Sequence, residues 1–152
     1  MVNRPKAIGT AAETALRNVL LASGFSELQA HRNVLKGSAD EGDVWLRHPQ
    51  RGLIVFEVKG GAAAKTASSG QVSRWWDEVE AEKENASANF GFLVQQRAGV
   101  GYPRAGEWWA MARLRDLIEL RTGIKDTSLE GSPLVRISVR SLIKLIGAPV
   151  AE

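Results

Sequence analysis

The chain has 152 residues and a mass of 16.5 kDa, which is the size of one domain that buries a sizeable core. Its 44% of hydrophobic and 24% of charged residues exclude collagen-like, disordered and multidomain proteins. The absence of cysteine excludes a disulfide framework, a thiolate nucleophile, a zinc site of the Cys type and an iron–sulfur cluster, and two histidines make a His-rich metal site equally unexpected.

The charge of the chain is distributed unevenly. The formal net charge is +3, but residues 77–84 carry five acids and one lysine, which leaves +7 on the rest of the sequence. Thirteen of the twenty basic residues are arginine, the side chain that binds phosphates with two hydrogen bonds and stacks on bases. The composition therefore favours an anionic partner such as nucleic acid.

No membrane segment is expected. The first residues lack the apolar stretch of a signal peptide, and the longest apolar runs, such as residues 19–22, are too short to cross a bilayer. We therefore expect a cytoplasmic protein without a membrane partner.

The first half of the chain has the pattern of one helix followed by three strands. Apolar residues recur at helical spacing over residues 10–23, and Gly24 marks the end of this helix. The second and third strands flank a sequence that is typical of a hairpin turn. The predicted strands span residues 29–35, 43–47 and 53–59, with a polar loop over residues 36–42 and the turn over residues 48–52.

The second half continues with alternating helices and strands. Residues 60–70 are small and polar, so they predict a flexible connection, and the helix over residues 71–84 is expected to bury Trp75 and Trp76 and to leave its acidic run in solvent. In each adjacent tryptophan pair we expect one ring in the core and one outside it. The remaining predicted elements are strands over 90–95 and 107–112, a helix over 114–121, a strand over 134–139 and a helix over 141–146.

This order of elements predicts the fold class. It indicates an α/β protein with a mixed β-sheet flanked by helices. We expect a single domain over residues 1–152, with a core of about residues 6–122 and an appended strand and helix over residues 131–147.

Two acids and a lysine stand where strands should be apolar. Glu57 and Lys59 end an apolar strand and share one of its faces, because strand side chains alternate. A turn centred on Gln50 makes paired residue numbers sum to 100, which places Asp43 opposite Glu57. Two carboxylates with room for water suit Mg²⁺, or alternatively Mn²⁺. The competing interpretation is an ordinary ion pair at the solvated end of a strand.

Glu13 and Gln71 each permit two interpretations. Glu13 follows Thr10 at capping-box spacing, but it also lies on the helix stripe that carries Leu16 and must face the sheet. Gln71 follows Ser68 at the same spacing, at the start of the second predicted helix. Either residue can therefore close a helix or serve a functional site.

Taken together, these residues resemble the PD-(D/E)xK nucleases, and among them the archaeal-type Holliday junction resolvases and their RecB-like relatives. The resemblance covers residue 6 to about residue 122, and Gly42 stands where the family name has proline. The matching residues are Gly9-x-x-x-Glu13, Ser38, Gly42-Asp43-Val44, Glu57-Val58-Lys59 and Gln71.

The resemblance implies a restriction-endonuclease-like core, a metal site and a reaction. Asp43 and Glu57 would bind the divalent metal together with the backbone carbonyl of Val58, and Glu13 would complete the site through a metal-bound water. Lys59 would orient or stabilise the attacking hydroxide, and Gln71 would join the catalytic set. The implied activity is hydrolysis of DNA by a structure-selective endonuclease that resolves four-way junctions as a homodimer.

Basic residues near the expected site are candidates for binding DNA. Three other interpretations stay open: a RecB-like or restriction-like nuclease with another substrate, an inactive DNA-binding module of the same fold, and an unrelated α/β protein with a basic surface. The candidate DNA-binding residues are Arg4, Lys6, Arg32, Lys36, Ser38 and Lys65.

Overall fold

The apolar runs of the sequence form six strands of one mixed sheet in a computed structural model. The structure describes residues 4–33, 43–129 and 131–149, with the backbone alone for residues 4–7. The strands lie side by side in chain order. They are β1 (Ala30–Arg32), β2 (Val44–His48), β3 (Gly52–Lys59), β4 (Phe90–Gln95), β5 (Trp109–Arg113) and β6 (Leu134–Ser138).

Helices cover both faces of this sheet, which confirms the predicted α/β class with a mixed sheet flanked by helices. The parallel pair β3 and β4 occupies the centre, and the other neighbouring strands are antiparallel. No helix in the described part of the chain has the length and apolar character needed to span a membrane. The helices are α1 (Arg4–Ala22), α2 (Gly61–Lys65), α3 (Ser69–Asn85), α4 (Leu114–Thr122) and α5 (Val139–Ile146), with 3₁₀ turns at Tyr102–Glu107 and Thr127–Leu129.

The two faces of the sheet bury different cores. On one face, α1 packs on β3, and α4 and α5 pack on β5, around one core that includes Leu16, Phe56 and Phe92. On the other face, α3 alone packs Trp75 and its neighbours against the sheet. Alternation along β3 places Phe56 and Val58 on the first face and directs Glu57 and Lys59 towards α3.

The predicted register of the β2–β3 hairpin is confirmed. Five pairs from Val44 opposite Phe56 to His48 opposite Gly52 have residue numbers that sum to 100. Asp43 lies just before β2, outside this ladder, and its N–H donates to the carbonyl of Phe56 at 2.9 Å. It therefore meets Glu57 through its side chain and not as a ladder partner.

Helix α1 corrects one expectation. It begins at Arg4 and not at residue 10, so Thr10 is an interior helical residue and the proposed capping box of Thr10 and Glu13 is wrong. Pro5 is compatible with the first turn of a helix, where its missing N–H is not needed. The Thr10 hydroxyl instead accepts a hydrogen bond of 3.5 Å from Arg32.

The connection over residues 60–70 is also more ordered than predicted, because it contains α2. Its two glycines allow α1 to approach closely. A Cβ on Gly60 would lie 2.7 Å from the Cβ of Ala12, and one on Gly61, whose φ is +80°, would lie 2.8 Å from Ile8. Contact with α1 therefore fixes the start of a segment whose composition suggests flexibility.

The predicted C-terminal strand and helix are present and belong to the main fold. Strand β6 pairs with β5, and α5 buries Leu142 and Ile146 in the core that α1 also joins. Of the tryptophan pairs, Trp108 and Trp109 show one fully buried and one half-buried ring, but Trp75 and Trp76 are both buried. Both rings of this second pair belong to the core cluster between α3 and the sheet.

Candidate active site

The carboxyl end of β3 and the start of β2 bring together the acids that the sequence singled out. Asp43 Oδ2 accepts a hydrogen bond of 2.8 Å from the Val58 backbone N–H. The Asp43 carboxyl also interacts with the Glu57 carboxyl, which raises the pKa of Asp43. The expected meeting of these two acids is thus present in the structure.

The neighbouring acids change the pKa of Asp43. Burial, the negative charge of Glu57 and a smaller contribution from Glu13 raise the pKa of Asp43 to about 8, although the Val58 N–H opposes the shift. With both carboxyls ionised neither can donate, and Glu57 Oε2 is then a buried oxygen without a partner among the described residues. The raised pKa of Asp43 therefore favours proton uptake or cation binding at this pair of acids.

Lys59 is held between two acids on the α3 side of the sheet. Its Nζ lies 3.0 Å from Glu57 Oε1 and 2.8 Å from Glu78 Oε2, and 5.5 Å from the centre of the Trp75 ring. Burial disfavours the charged form of Lys59, but Glu78 and Glu57 outweigh it and raise the pKa of the ammonium above its usual value. Lys59 is therefore a fixed positive charge.

Helix α3 contributes acids that the sequence analysis placed in solvent, and that expectation is wrong for Glu82, whereas Glu78 is exposed but also contacts the site. Glu82 is buried, and Glu78 forms the ion pair with Lys59. One carboxylate oxygen each from Glu57, Glu78 and Glu82 lie within 4.8 Å of one another. The signal was present in the sequence, because Glu78 and Glu82 follow Trp75 by three and seven residues and so share its helix face.

Glu13 approaches the same site from α1, on the other side of the sheet. Its Oε2 lies 3.5 Å from Nη2 of Arg32. Burial raises the pKa of Glu13, Arg32 lowers it, and the charge of Glu57 raises it again. Glu13 is therefore electrostatically linked to Glu57, and Arg32 is already engaged by an acid.

Of the other candidates, the two whose side chains the structure describes, Gln71 and Lys65, make no contact with these carboxylates. The Gln71 N–H donates to Ser68 Oγ, which caps α3, and its side-chain oxygen accepts from Arg74 at 2.9 Å. Lys65 is exposed at the end of α2. Arg4 and Lys6 lie in the first turns of α1 without described side chains, and Lys36 and Ser38 lie outside the described residues.

Comparison of the chain with protein-family models, with curated proteins and with solved structures finds no match in any of the three. Function is therefore inferred from the arrangement of side chains. That arrangement has two neighbouring acids that raise the pKa of Asp43, a third acid close to them and a lysine paired at the same strand end.

Proposed function

We propose that the protein is a metal-dependent DNA endonuclease with a restriction-endonuclease-like core that hydrolyses phosphodiester bonds. The observation that carries this proposal is the contact between the Asp43 and Glu57 carboxyls, with Lys59 3.0 Å from Glu57. Such a pair of buried acids costs stability unless it binds a proton or a cation. Because folding does not require these two acids to lie together, their unfavourable contribution to stability indicates a functional site.

The residues present fit Mg²⁺ or Mn²⁺. Asp43 and Glu57 supply hard oxygen ligands, and Glu57 Oε2 is buried without a hydrogen-bond donor among the described residues. The Val58 N–H faces β2, and the carbonyl of a strand residue faces the same neighbour as its N–H. Asp43, Glu57 and the Val58 carbonyl would therefore hold the ion, and Glu13 would reach it through water.

A bound divalent ion lowers the pKa of its water and offsets negative charge on the phosphate. The side chains of this chain do the rest. Lys59 provides a fixed positive charge beside the reacting phosphate, and Glu78 and Glu57 keep its ammonium in place. Glu13 lies 3.5 Å from Arg32 and is electrostatically linked to Glu57, so it is suited to orient a water near Glu57. No covalent nucleophile is needed.

Branched DNA, and a four-way junction in particular, is the substrate we propose first, with a homodimer as the active form. Outside residues 77–84 the chain has a net charge of +7, which suits a phosphate backbone. Two symmetric nicks in a junction require two active sites, which a twofold dimer supplies. The first alternative function is cleavage of other DNA by a RecB-like or restriction-like enzyme. The second alternative is an inactive DNA-binding module.

The test is incubation of the purified protein with a labelled four-way junction and a matched linear duplex, in Mg²⁺, in Mn²⁺ and in EDTA. We expect paired nicks near the branch point with metal only, and none from Asp43→Asn or Glu57→Gln. Asp126→Asn is the matched control, since Asp126 is exposed and bonds only to Ser128. Cleavage of both substrates would reject junction selectivity, and binding without cleavage would favour the inactive module.

A further inference from the structure

A second cluster of side chains lies beside the carboxylate site and has no role in the proposed chemistry. We call it the Arg–Trp patch, and it consists of Arg97, Trp109 and Arg136. The guanidinium carbon of Arg97 lies 4.3 Å from the centre of the Trp109 ring, and that of Arg136 lies 4.4 Å from it. Two guanidinium groups thus stack on one indole.

The three residues come from neighbouring strands. Arg97 follows β4, Trp109 begins β5, and Arg136 lies in β6 opposite Met111. Both arginines are exposed, and neither side chain makes a hydrogen bond or salt bridge to any described residue. Each guanidinium therefore keeps its five N–H donors available for a ligand.

The Trp109 ring is the part of the patch that the fold holds in place. Its ring is half-buried and packs against the apolar cluster beneath α3. An arginine that already stacks on a fixed ring loses less side-chain freedom when it binds, and its planar fork matches two oxygens of a phosphate. The patch is therefore suited to bind phosphate groups, which offer several oxygens to the guanidinium donors, and not an anion that acts as a single point charge.

The register connects the patch to the carboxylate site. Lys59 lies beside Gln95, and Gln95 lies opposite Trp109, so the three residues form one row across β3, β4 and β5. Residues in such a row share a face, and two strand spacings separate the backbones of Lys59 and Trp109 by about 10 Å. DNA with a phosphate at Lys59 would therefore have neighbouring phosphates within reach of the patch.

A groove continues this surface towards α3. It has a volume of about 490 Å³ and lies between the first turns of α3 and the sheet. Arg136 and Arg113 line it together with Gln95, a side chain with 7% of its surface exposed. Gln95 Nε2 donates to the Ala64 carbonyl, and its Oε1 has no partner among the described residues. The Arg113 guanidinium already donates to the Ser132 carbonyl and lies 3.8 Å from Glu80, so Arg97 and Arg136 are the arginines of this surface that keep their donors available.

We propose that Arg97 and Arg136, stacked on Trp109, bind the backbone of the DNA strand whose reacting phosphate lies at Lys59. This inference rests on the proposed function and adds a substrate-positioning surface on the α3 side of the sheet. It differs from four basic residues that the sequence suggested and the structure describes, because Arg4 and Lys6 lie in α1, Arg32 in β1 and Lys65 in α2.

The experiment measures binding in EDTA, so that it does not depend on cleavage. Dissociation constants for a four-way junction are measured between 50 and 300 mM salt for Arg97→Gln, Arg136→Gln and the double variant. Each single change is expected to weaken binding about five- to tenfold and to reduce the slope of log K against log salt by about 1, and the double change by about 2.

Arg121→Gln is the matched control, because Arg121 is exposed on α4, which packs on the opposite face. It should keep the wild-type affinity and slope. Circular dichroism and thermal melting of each variant establish that the fold is retained. If Arg97→Gln and Arg136→Gln bind with the wild-type constant and slope, the patch does not contact DNA and the proposal is overturned.

Single-turnover cleavage at saturating protein separates this inference from the proposed function. The double variant should need a higher protein concentration to reach its maximal cleavage rate, whereas Asp43→Asn should bind normally and not cleave at any protein concentration. If the wild-type protein binds DNA but never cleaves it, and the patch variants bind DNA more weakly, the DNA-binding role of the patch is supported and the nuclease proposal is rejected. A wild-type chain that binds neither junction nor duplex, and binds an acidic protein instead, would overturn the patch as a DNA surface.

Discussion

Polar side chains leave solvent at both ends of the β2–β3 hairpin, but the groups that they contact differ between the two ends. At the turn end, His48 Nε2 donates to the Gly147 carbonyl at 2.8 Å, and its Nδ1 accepts from the N–H groups of Gln50 and Arg51. Arg51 donates to the carbonyls of Ile146 and Leu120. Each of these buried groups meets a neutral backbone partner that complements it.

At the opposite end of the hairpin, where β2 starts and β3 ends, carboxyl groups lie next to other carboxyl groups. Asp43 lies beside the negative charge of Glu57, and Glu13 adds a smaller unfavourable contribution. The hydrogen bonds of the turn end tie the hairpin to α4 and α5, so they stabilise the fold. The carboxylates work against folding, which is what the metal site we propose would require before its ion binds.

The largest contrast is expected from Asp43→Asn, because activity and stability should change in opposite directions. With the ion ligand removed, metal-dependent cleavage should fall by at least about 10³-fold. In EDTA at pH 8, however, the variant should be about 1–3 kcal/mol more stable, since a buried charge beside Glu57 is gone. Urea denaturation and cleavage assays measure the two effects. A clear loss of stability would instead make Asp43 a structural residue.

At the turn end, Arg51→Met should reduce stability and leave the chemistry intact. It leaves the carbonyls of Ile146 and Leu120 without their donor, and we expect a loss of about 2–4 kcal/mol in the free energy of unfolding. Cleavage per folded molecule should stay within about twofold of wild type. Arg47→Met is the control, as Arg47 is exposed on the same hairpin and its recorded contact is with the Trp45 ring. An equal loss of stability in that control would contradict the assignment.

Glu78→Gln probes how Lys59 is held. The variant keeps a hydrogen-bond acceptor but removes one of the two negative charges that lie within 3 Å of the ammonium. We expect about a tenfold decrease in cleavage, a lowered pKa of Lys59 and a change in stability below about 1 kcal/mol. The pH–rate profile of Glu78→Gln should shift to lower pH on its alkaline side. Glu84→Gln, an exposed change on the same helix, should leave the profile unaltered.

The sequence predicted most of the fold because local patterns determine much of it. Strand β4 matches its predicted span, and the hairpin register followed from a turn centred on Gln50. The extension of α1 to Arg4 was missed because nothing local distinguishes Thr10 as a cap from Thr10 as an interior residue. Its true partner is Arg32, twenty-two residues away.

For the candidate site, the sequence predicted the acids but not the groups that control them. Asp43, Glu57 and Lys59 meet as expected, since strand alternation and register are periodic. Glu78 was assigned to solvent because an acidic run on a helix usually faces water, and only tertiary packing shows that it pairs with Lys59. The Arg–Trp patch was missed because it joins three strands that are distant in sequence.

The smallest effect we expect is a difference in the pH dependence of the two ends. Burial, opposed by the Gly147 hydrogen bond and aided by the charge of Arg51, lowers the pKa of His48 below its usual 6.5. Below that pH the unfolded chain takes up a proton that the folded chain resists, so stability should fall on acidification. The pKa of Asp43, raised from 3.8 to about 8, acts in the opposite direction, because the folded chain holds the extra proton between these values.

The two contributions are separable by combining variants. In an Asp43→Asn background the unfolding free energy should decrease as the pH falls from 7 to 5, and adding His48→Gln should flatten that decrease, since glutamine does not titrate. In a His48→Gln background alone, stability in EDTA should rise over the same interval, as Asp43 then dominates. Urea titrations at each pH measure these slopes. If both backgrounds give the same slope, the two ends of the hairpin do not differ in the way their contacts indicate.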